Sequence, residues 1–333
     1  MKEMQVPGAA IFVQSTATGA WTTGLGVSDV TTREAVTPQQ HFRIGSITKT
    51  FTSTVILQLV GEGKLRLDDP VAKYQPEVPD GNAITLRELL AMRSGLYNYS
   101  DTPEFSQALI AQPERVWTPQ ELLTIAFKHP PYFAPGKDFH YSNTNFILLG
   151  LLIEQITHHP VERELQQRIF TPLGMSHTQL PPRPVATLPT PFAQGYAFDT
   201  MLSASAGAQK KLLNVTGWNP SWGWTAGSAI SALPDMQIWA QALATGKLLS
   251  PAMHKEQITW SSTIAEKVRY SLGIADFAGF IGHNGQIPGY QAFMGYRPET
   301  KQTIVVLTNL YAAPDGAGPA DTLAKTIQQA LSA

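Results

Sequence analysis

The sequence predicts a mixed α/β (α+β) fold, an antiparallel sheet flanked by helices with an inserted, mostly helical lobe. Three observations carry that expectation. Strand-like runs stand at both ends of the chain, the stretch between them alternates helical patterns with Pro/Gly-rich loops, and the character turns back toward strands after Gly227. Strands at both termini with helices between them suggest one sheet built from two chain ends. The sheet domain is expected to take residues 1–65 and 223–333, and the helical domain residues 66–222. A cleft between the two is the natural place for a site.

The elements follow in order. "AAIFVQS" (9–15) and "AWTTGLGVSD" (20–29), joined by a Ser/Thr/Gly turn, read as an antiparallel pair. From Ser46 to Val60 the chain is apolar and nearly free of breakers, with Phe51, Val55 and Leu59 on one helical stripe and Gly61-Glu62-Gly63 closing it, so a mostly buried helix is expected. The helical stretches "TLRELLAM", "TPQELLTIAF", "NTNFILLGLLIEQIT" and "VERELQQRIF" come next, and the loop "LPPRPVATLPTPF" follows at 180–192. Beyond Gly227 stand a helix ("LPDMQIWAQALAT"), the strand-like runs "YSLGIADF", "GYQAFMGYR" and "QTIVVLTNL", and a C-terminal helix ("PADTLAKTIQQALS"). No repeat or low-complexity tract is present.

Bulk composition narrows the function classes. The 333 residues are 43% apolar and 15% charged, ordinary for a globular enzyme and wrong for a disordered or fibrous chain. Lys and Arg number 24 against 25 Asp and Glu, so the basic excess that nucleic acid or anionic lipid would favour is missing, and no nucleic-acid partner is expected. The longest apolar run, Phe146 to Ile153, falls far short of the ~20 residues that cross a bilayer. The opening "MKEMQVPGAAIFV" passes from a short polar lead into a strand-like run without the long apolar region of a secretory signal. With no cysteine, disulfides and thiolate–metal sites are excluded, while the compartment stays open.

Three short patterns each occur once: S-x-x-K at Ser46/Lys49, Y-x-N at Tyr141/Asn143 and H-x-G at His283/Gly285. The first opens a helix, the second precedes one, and the third precedes a strand. A serine hydroxyl is a weak nucleophile until a base takes its proton, and residues i and i+3 face the same side of a helix. Lysine can be that base only if burial, a helix N-terminus or a second cation lowers its pKa. Tyr141 offers a phenol that the lysine charge would turn toward phenolate, fit to accept the serine proton or protonate a leaving group. Asn143 supplies an amide for both lysine and a substrate carbonyl. His283 is expected to begin a strand edge across the cleft, where Gly285 lets a substrate backbone come close. The main-chain N–H groups of Ser46 and Gln286 are the expected oxyanion hole. Each residue also has a plain structural reading: Ser46 a helix N-cap, Lys49 a snorkelling flank, Tyr141-Ser142-Asn143 a helix start, and His283-Asn284-Gly285 a hairpin turn. The three together favour catalysis. No G-x-S-x-G elbow, H-E-x-x-H or phosphate-binding glycine loop is present. His158-His159, ending a helix without a carboxylate at ligand spacing, reads as surface, so neither metal nor cofactor is expected.

With those patterns in place, "FRIGSITKTFTSTVILQLVGEGKLRLDDPV", "ITLRELLAMRSGLYNY", "YSNTNFILLGLLIEQIT", "RIFTPLGM" and "GHNGQIPGY" resemble, in order along nearly the whole chain, the penicillin-recognising serine hydrolases. The likeness is strongest to the serine-type D-alanyl-D-alanine carboxypeptidases related to class C β-lactamases. It implies a β-lactamase/transpeptidase-like fold, nucleophile Ser46, base partner Lys49, proton shuttle Tyr141, and substrate contacts from Asn143, His283 and Trp222 of "NPSWGWTAGS". It also implies a small D-amino-acid peptide or ester as substrate, β-lactams as inhibitors, and a periplasmic or extracellular place. Three departures stand out. His283 replaces the lysine usual in β-lactamases, which favours a peptidase or esterase. Asn284 and Gln286 stand where the carboxypeptidases often have threonines around the substrate carboxylate, and "ADFAGFIG" offers Asp276 but no arginine. Only Met1 to Val6 precede Pro7, where the family usually has a helix, so a removed N-terminal piece, export leader included, is expected. D-Ala-D-Ala carboxypeptidase is thus the first expectation and an esterase or D-amino-acid amidase the second. A non-catalytic penicillin sensor is disfavoured because every catalytic group is present.

Overall fold

The computed structural model describes residues 1–17, 19–199 and 211–332; Thr18 of the first turn and residues 200–210 of the expected helical lobe lie outside the described residues. The chain opens with the hairpin of β1 (Gly8–Ser15) and β2 (Gly19–Gly26), in register from Gly8 opposite Gly26 to Ser15 opposite Gly19. Short β3 (His41–Arg43) then leads through a single 3-10 turn at Gly45–Ile47 into α1 (Thr48–Gly61). Helices α2 (Leu86–Leu90), α3 (Pro103–Ala111), α4 (Pro119–Phe127) and α5 (Asn143–Thr157) follow. Capping boxes start α2 and α4, where Thr85 and Thr118 exchange hydrogen bonds with Glu88 and Glu121. The expected single helix "VERELQQRIF" is instead α6 (Val161–Leu165), a π-helical turn at Gln166–Phe170, and α7 (Thr171–Leu173).

Two small ribbons lie beside the main sheet. One pairs β4 (Tyr196–Phe198) with β5 (Leu212–Asn214); the other pairs β3 with β6 (Ile230–Ala232), which follows α8 (Trp224–Gly227). Then come α9 (Leu233–Ala244), α10 (Pro251–Gln257), the strands β7 (Ser262–Ala265), β8 (Val268–Tyr270), β9 (Ala275–Phe277), β10 (Phe280–Ile287), β11 (Tyr290–Arg297) and β12 (Gln302–Thr308), and α11 (Pro319–Ser332). The eight-stranded sheet runs β2-β1-β12-β11-β10-β9-β8-β7, every neighbouring pair antiparallel. It joins the two chain ends, as the sequence pattern suggested.

Two expectations change in detail. "YSLGIADF" is not one strand but the end of β8, a turn containing Gly273 at φ +73°, and β9. β7 was not anticipated, because it is short and its side chains lie largely in solvent, leaving no alternating pattern to read.

The sheet is covered on both faces. Alternation along β1 sends Ala10 and Phe12 into the main core and Ala9 and Ile11 to the opposite face, where they meet Phe293, Ile304 and Val306 under Ala320 and Ala324 of α11. Helix α1 runs through the main core. Its β-branched run from Thr48 to Ile56 has poor helix propensity, so packing holds it helical: Phe51, Val55, Ile56 and Leu59 are all fully buried, each worth ~1.5–3 kcal/mol. Its buried hydroxyls are satisfied, Thr54 by the Thr50 carbonyl, Thr52 by Thr225 and Ser53 by Leu272. No described helix is long and apolar enough to cross a membrane.

Candidate active site

Ser46 sits in the 3-10 turn that feeds α1, with β10 lying directly against it. Two facing glycines permit that approach. A Cβ on Gly45, at φ +52°, would come within 2.5 Å of the Gln286 nitrogen, and one on Gly285 within 2.0 Å of the Ile44 carbonyl oxygen and 2.8 Å of the Ser46 nitrogen. The Ser46 and Gln286 main-chain nitrogens therefore line the same narrow gap. The plain N-cap reading of Ser46 fails: neither the turn nor α1 has a side-chain cap, and it is Thr48 whose hydroxyl donates to the Gly45 carbonyl, at 2.7 Å. The Ser46 side chain is partly open to solvent on an otherwise buried segment.

Lys49 is fully buried rather than snorkelling. Its Nζ lies 3.0 Å from Ser46 Oγ, 2.8 Å from Asn143 Oδ1 and 2.7 Å from the Ala226 carbonyl oxygen, and 4.7 Å above the Tyr141 ring. No carboxylate pairs with it among the described residues. Burial drives its pKa well below the usual lysine value. A neutral amine has two hydrogens and one lone pair. The Asn143 and Ala226 oxygens can only accept, so they take both hydrogens and leave the lone pair facing the Ser46 hydroxyl.

Tyr141 completes the group from the turn before α5. Its hydroxyl is buried and lies close enough to the Ser46 hydroxyl to be influenced by it. Of the two expected roles, proton acceptor and proton donor, burial favours the donor. Burial raises the phenol's pKa and the Ser46 hydroxyl, the smaller effect, lowers it. Asn143 is the first residue of α5; its Nδ2 donates to Ser100 Oγ at 3.0 Å, and its backbone N–H donates to Asn98 Oδ1 at 3.0 Å. Asn98, Ser100 and the Ala226 carbonyl had no signal in the sequence, since none belongs to a spaced pattern and the last is main chain.

The remaining residues divide by face. His283 lies in the middle of β10, not in a turn and not at a strand's start; the hairpin falls after Ile287, at Gly289 with φ +91°. Its buried ring meets the Asn284 carbonyl through Nδ1 and the Tyr270 hydroxyl through Nε2 at 3.3 Å, 6.3 Å between centroids from Tyr141. Burial, and secondly the charge of Lys49, lower its pKa to about 3, so the imidazole is neutral: Nδ1–H donates and Nε2 accepts. Asn284 and Gln286 alternate to the other face, their amides donating to Asp321 Oδ2 (3.0 Å) and the Tyr311 carbonyl (2.8 Å). Gln286 thus reaches the site by its main chain alone. Trp222 is half-buried edge-on to Phe105, its carbonyl accepting from the Tyr99 hydroxyl at 2.5 Å. Arg269 is engaged by Asp276 and stacks over Trp260 at 5.0 Å. His158 ends α5 in the left-handed conformation, and His159 pairs with Glu164 at 3.0 Å.

Partly exposed Ser46 and Tyr141 around buried Lys49, beside the main-chain nitrogens of Ser46 and Gln286 on an antiparallel sheet with helices on both faces, are the arrangement of a serine hydrolase. The β-lactamase family model matches residues 1–328, and the chain belongs to this family of serine hydrolases. Among curated relatives it is 28% identical over 309 residues to a putative penicillin-binding protein, PbpX, of Bacillus subtilis, covering 92% of this chain and 71% of that one. It is 25% identical to Protein flp of Staphylococcus aureus over 93% of this chain, spanning 61% of flp. Among solved structures, a D-stereospecific amidohydrolase from Streptomyces sp. superposes with a TM-score of 0.82 at 33% identity, covering 93% of this chain and 91% of the other. A D-amino acid amidase from Ochrobactrum anthropi SV3, complexed with L-phenylalanine, gives 0.85 at 26% identity, with 98% and 94% covered.

Proposed function

We propose that the protein hydrolyses amides of D-amino acids and short D-peptides through an acyl-enzyme on Ser46, with no requirement for a free C-terminal carboxylate. In this reading neutral Lys49 takes the Ser46 proton as Oγ attacks the carbonyl, and the Ser46 and Gln286 N–H groups hold the oxyanion. Tyr141 gives its proton to the leaving amine and regains one from Lys49. Water then enters and the same groups act in reverse. Asn143 orients Lys49, while neutral His283 and half-buried Trp222 stand as walls for the substrate.

One observation carries the choice of amidase over D-Ala-D-Ala carboxypeptidase. A carboxylate bound away from water needs a cation, because leaving it unpaired costs several kcal/mol. Here Arg269 is already engaged by Asp276, and the Asn284 and Gln286 amides point to the other face of the sheet. The D-stereospecific amidohydrolase and D-amino acid amidase among the solved relatives support the same substrate class; the penicillin-binding relative supports acylation by β-lactams.

The test is a paired panel. kcat/KM for a peptide ending in D-Ala-D-Ala is expected to exceed that for its C-terminal amide by less than about tenfold, or ~1.4 kcal/mol of transition-state binding. A preference of a thousandfold for the free acid overturns the amidase reading in favour of the carboxypeptidase, and turnover of short-chain esters alone favours an esterase. Mass spectrometry with a fluorescent penicillin is expected to show one adduct, lost in Ser46→Ala; an adduct that persists there removes Ser46 as nucleophile.

A further inference from the structure

Across the sheet from Ser46 lies a groove that the reaction above does not use. It encloses about 350 Å³ between α11 and strands β8 to β11, with apolar walls from Val268, Phe277 and Phe293. That volume lies within the range of small-molecule sites. Asp321 lines it, drawn far enough out of water that desolvation raises its carboxyl to about 6 against the pull of the Asn284 hydrogen bond. Its partners are neutral amides, Asn284 Nδ2 at 3.0 Å and Gln291 Nε2 at 3.4 Å, and no cation pairs with it among the described residues. Lys267 and Lys325 stand exposed on the rim, neither in an ion pair among the described residues. Lys325 follows Asp321 by four residues on α11, so the two charges face the groove's side of the helix one turn apart.

We propose that this groove binds a free α-amino acid with an apolar side chain, its ammonium on Asp321, its carboxylate on Lys325 and Lys267, and its side chain against Phe277, Phe293 and Val268. The lining sets Asp321 and Glu266 beside Lys267 and Lys325, so a simple anion would face two carboxylates and a simple cation two lysines. A zwitterion satisfies both, and the apolar walls reward a hydrocarbon or aromatic side chain. The groove shares strand β10 with the Ser46 site but none of that site's side chains, so the proposal stands apart from the amidase reading.

Titration calorimetry on the intact protein with L-phenylalanine, phenethylamine and 3-phenylpropanoate tests it. L-phenylalanine is expected to bind in the millimolar range or tighter, and more tightly than either singly charged probe. Asp321→Asn is expected to weaken L-phenylalanine and phenethylamine by about tenfold or more and leave 3-phenylpropanoate unchanged; Lys325→Met is expected to do the converse for the two carboxylates. Should Asp321→Asn fail to fold, Lys325→Met, at an exposed helix position, carries the test. Affinities equal in the parent and both variants, or no saturable binding of L-phenylalanine, overturn the proposal.

Discussion

Arg43 and Lys49 are buried cations six residues apart, and neither meets a carboxylate among the described residues. Burial lowers the pKa of both. Their partners differ. Arg43 donates to three carbonyls, Trp218 at 2.6 Å, Ala186 at 2.6 Å and Thr216 at 3.0 Å, so it ties two loop segments to the strand leading into Ser46. Lys49 donates to two acceptors and faces a hydroxyl. Guanidinium starts so basic that no burial found in proteins removes its proton, whereas an ammonium is readily neutralised. The same desolvation leaves the guanidinium a permanent clamp and leaves the ammonium able to lose its proton, as the proposed base requires. What separates them is whether burial can take the charge away.

The sharpest way to break that comparison is to exchange the chemistry at position 49. Lys49→Ala is expected to slow acylation by ~10²-fold or more, and Lys49→Arg to do no better, since a guanidinium in that place keeps its charge. In the parent, the acylation rate is expected to rise with pH through the depressed Lys49 pKa and level off once the amine is neutral. The base needs its lone pair, so the active form lies on the alkaline side. Stopped-flow acylation across pH measures both; a Lys49→Arg enzyme with parental rate ends the argument for a neutral base.

At Arg43 the effect should fall on stability. Arg43→Met leaves three carbonyls without their donor, and with water replacing part of that loss the expected cost is about 2 kcal/mol. Chemical denaturation measures it. Acylation by the folded protein should stay within about tenfold of the parent, because Arg43 touches none of the reacting groups. A variant as stable as the parent but inactive would reverse the roles assigned to the two cations.

The contrast also shows what a sequence can disclose. Ser46, Lys49, Tyr141 and Asn143 were legible because their chemistry demands side chains of fixed type at short spacing, and the structure brings them together around Lys49 Nζ. Arg43 was not, since a clamp on carbonyls needs only main chain as its partner. The Ala226 carbonyl escaped for the same reason. The joining of β1 to β12 was legible from apolar runs at both termini, whereas β7 and the division of "YSLGIADF" were not, being set by turns and solvent-facing residues. Asn284-Gly285 carries a strong turn signature yet lies inside β10. There Gly285 answers a close approach by Ile44 and Ser46, a tertiary demand that local propensity does not contain.

His283 is the smallest and last test, a third buried base pushed down by burial. Its folded pKa of about 3 stands below the ordinary 6.5, so it is already neutral at neutral pH and should add no limb to the pH–rate profile above neutrality. The linkage falls on stability instead. Between those two values the unfolded chain binds a proton that the folded protein refuses, so this contribution is fully present above pH 6.5 and is lost as pH falls toward 3. The slope is about 1.4 kcal/mol per pH unit within that window. Carboxylates titrate there too, so the measurement is the difference between parent and His283→Gln in urea denaturation between pH 6.5 and about 4.5. The variant is expected to lose stability less steeply on acidification. Parallel curves would mean that the imidazole takes up its proton within the fold, and that of the buried basic groups near Ser46 Lys49 is not alone in titrating.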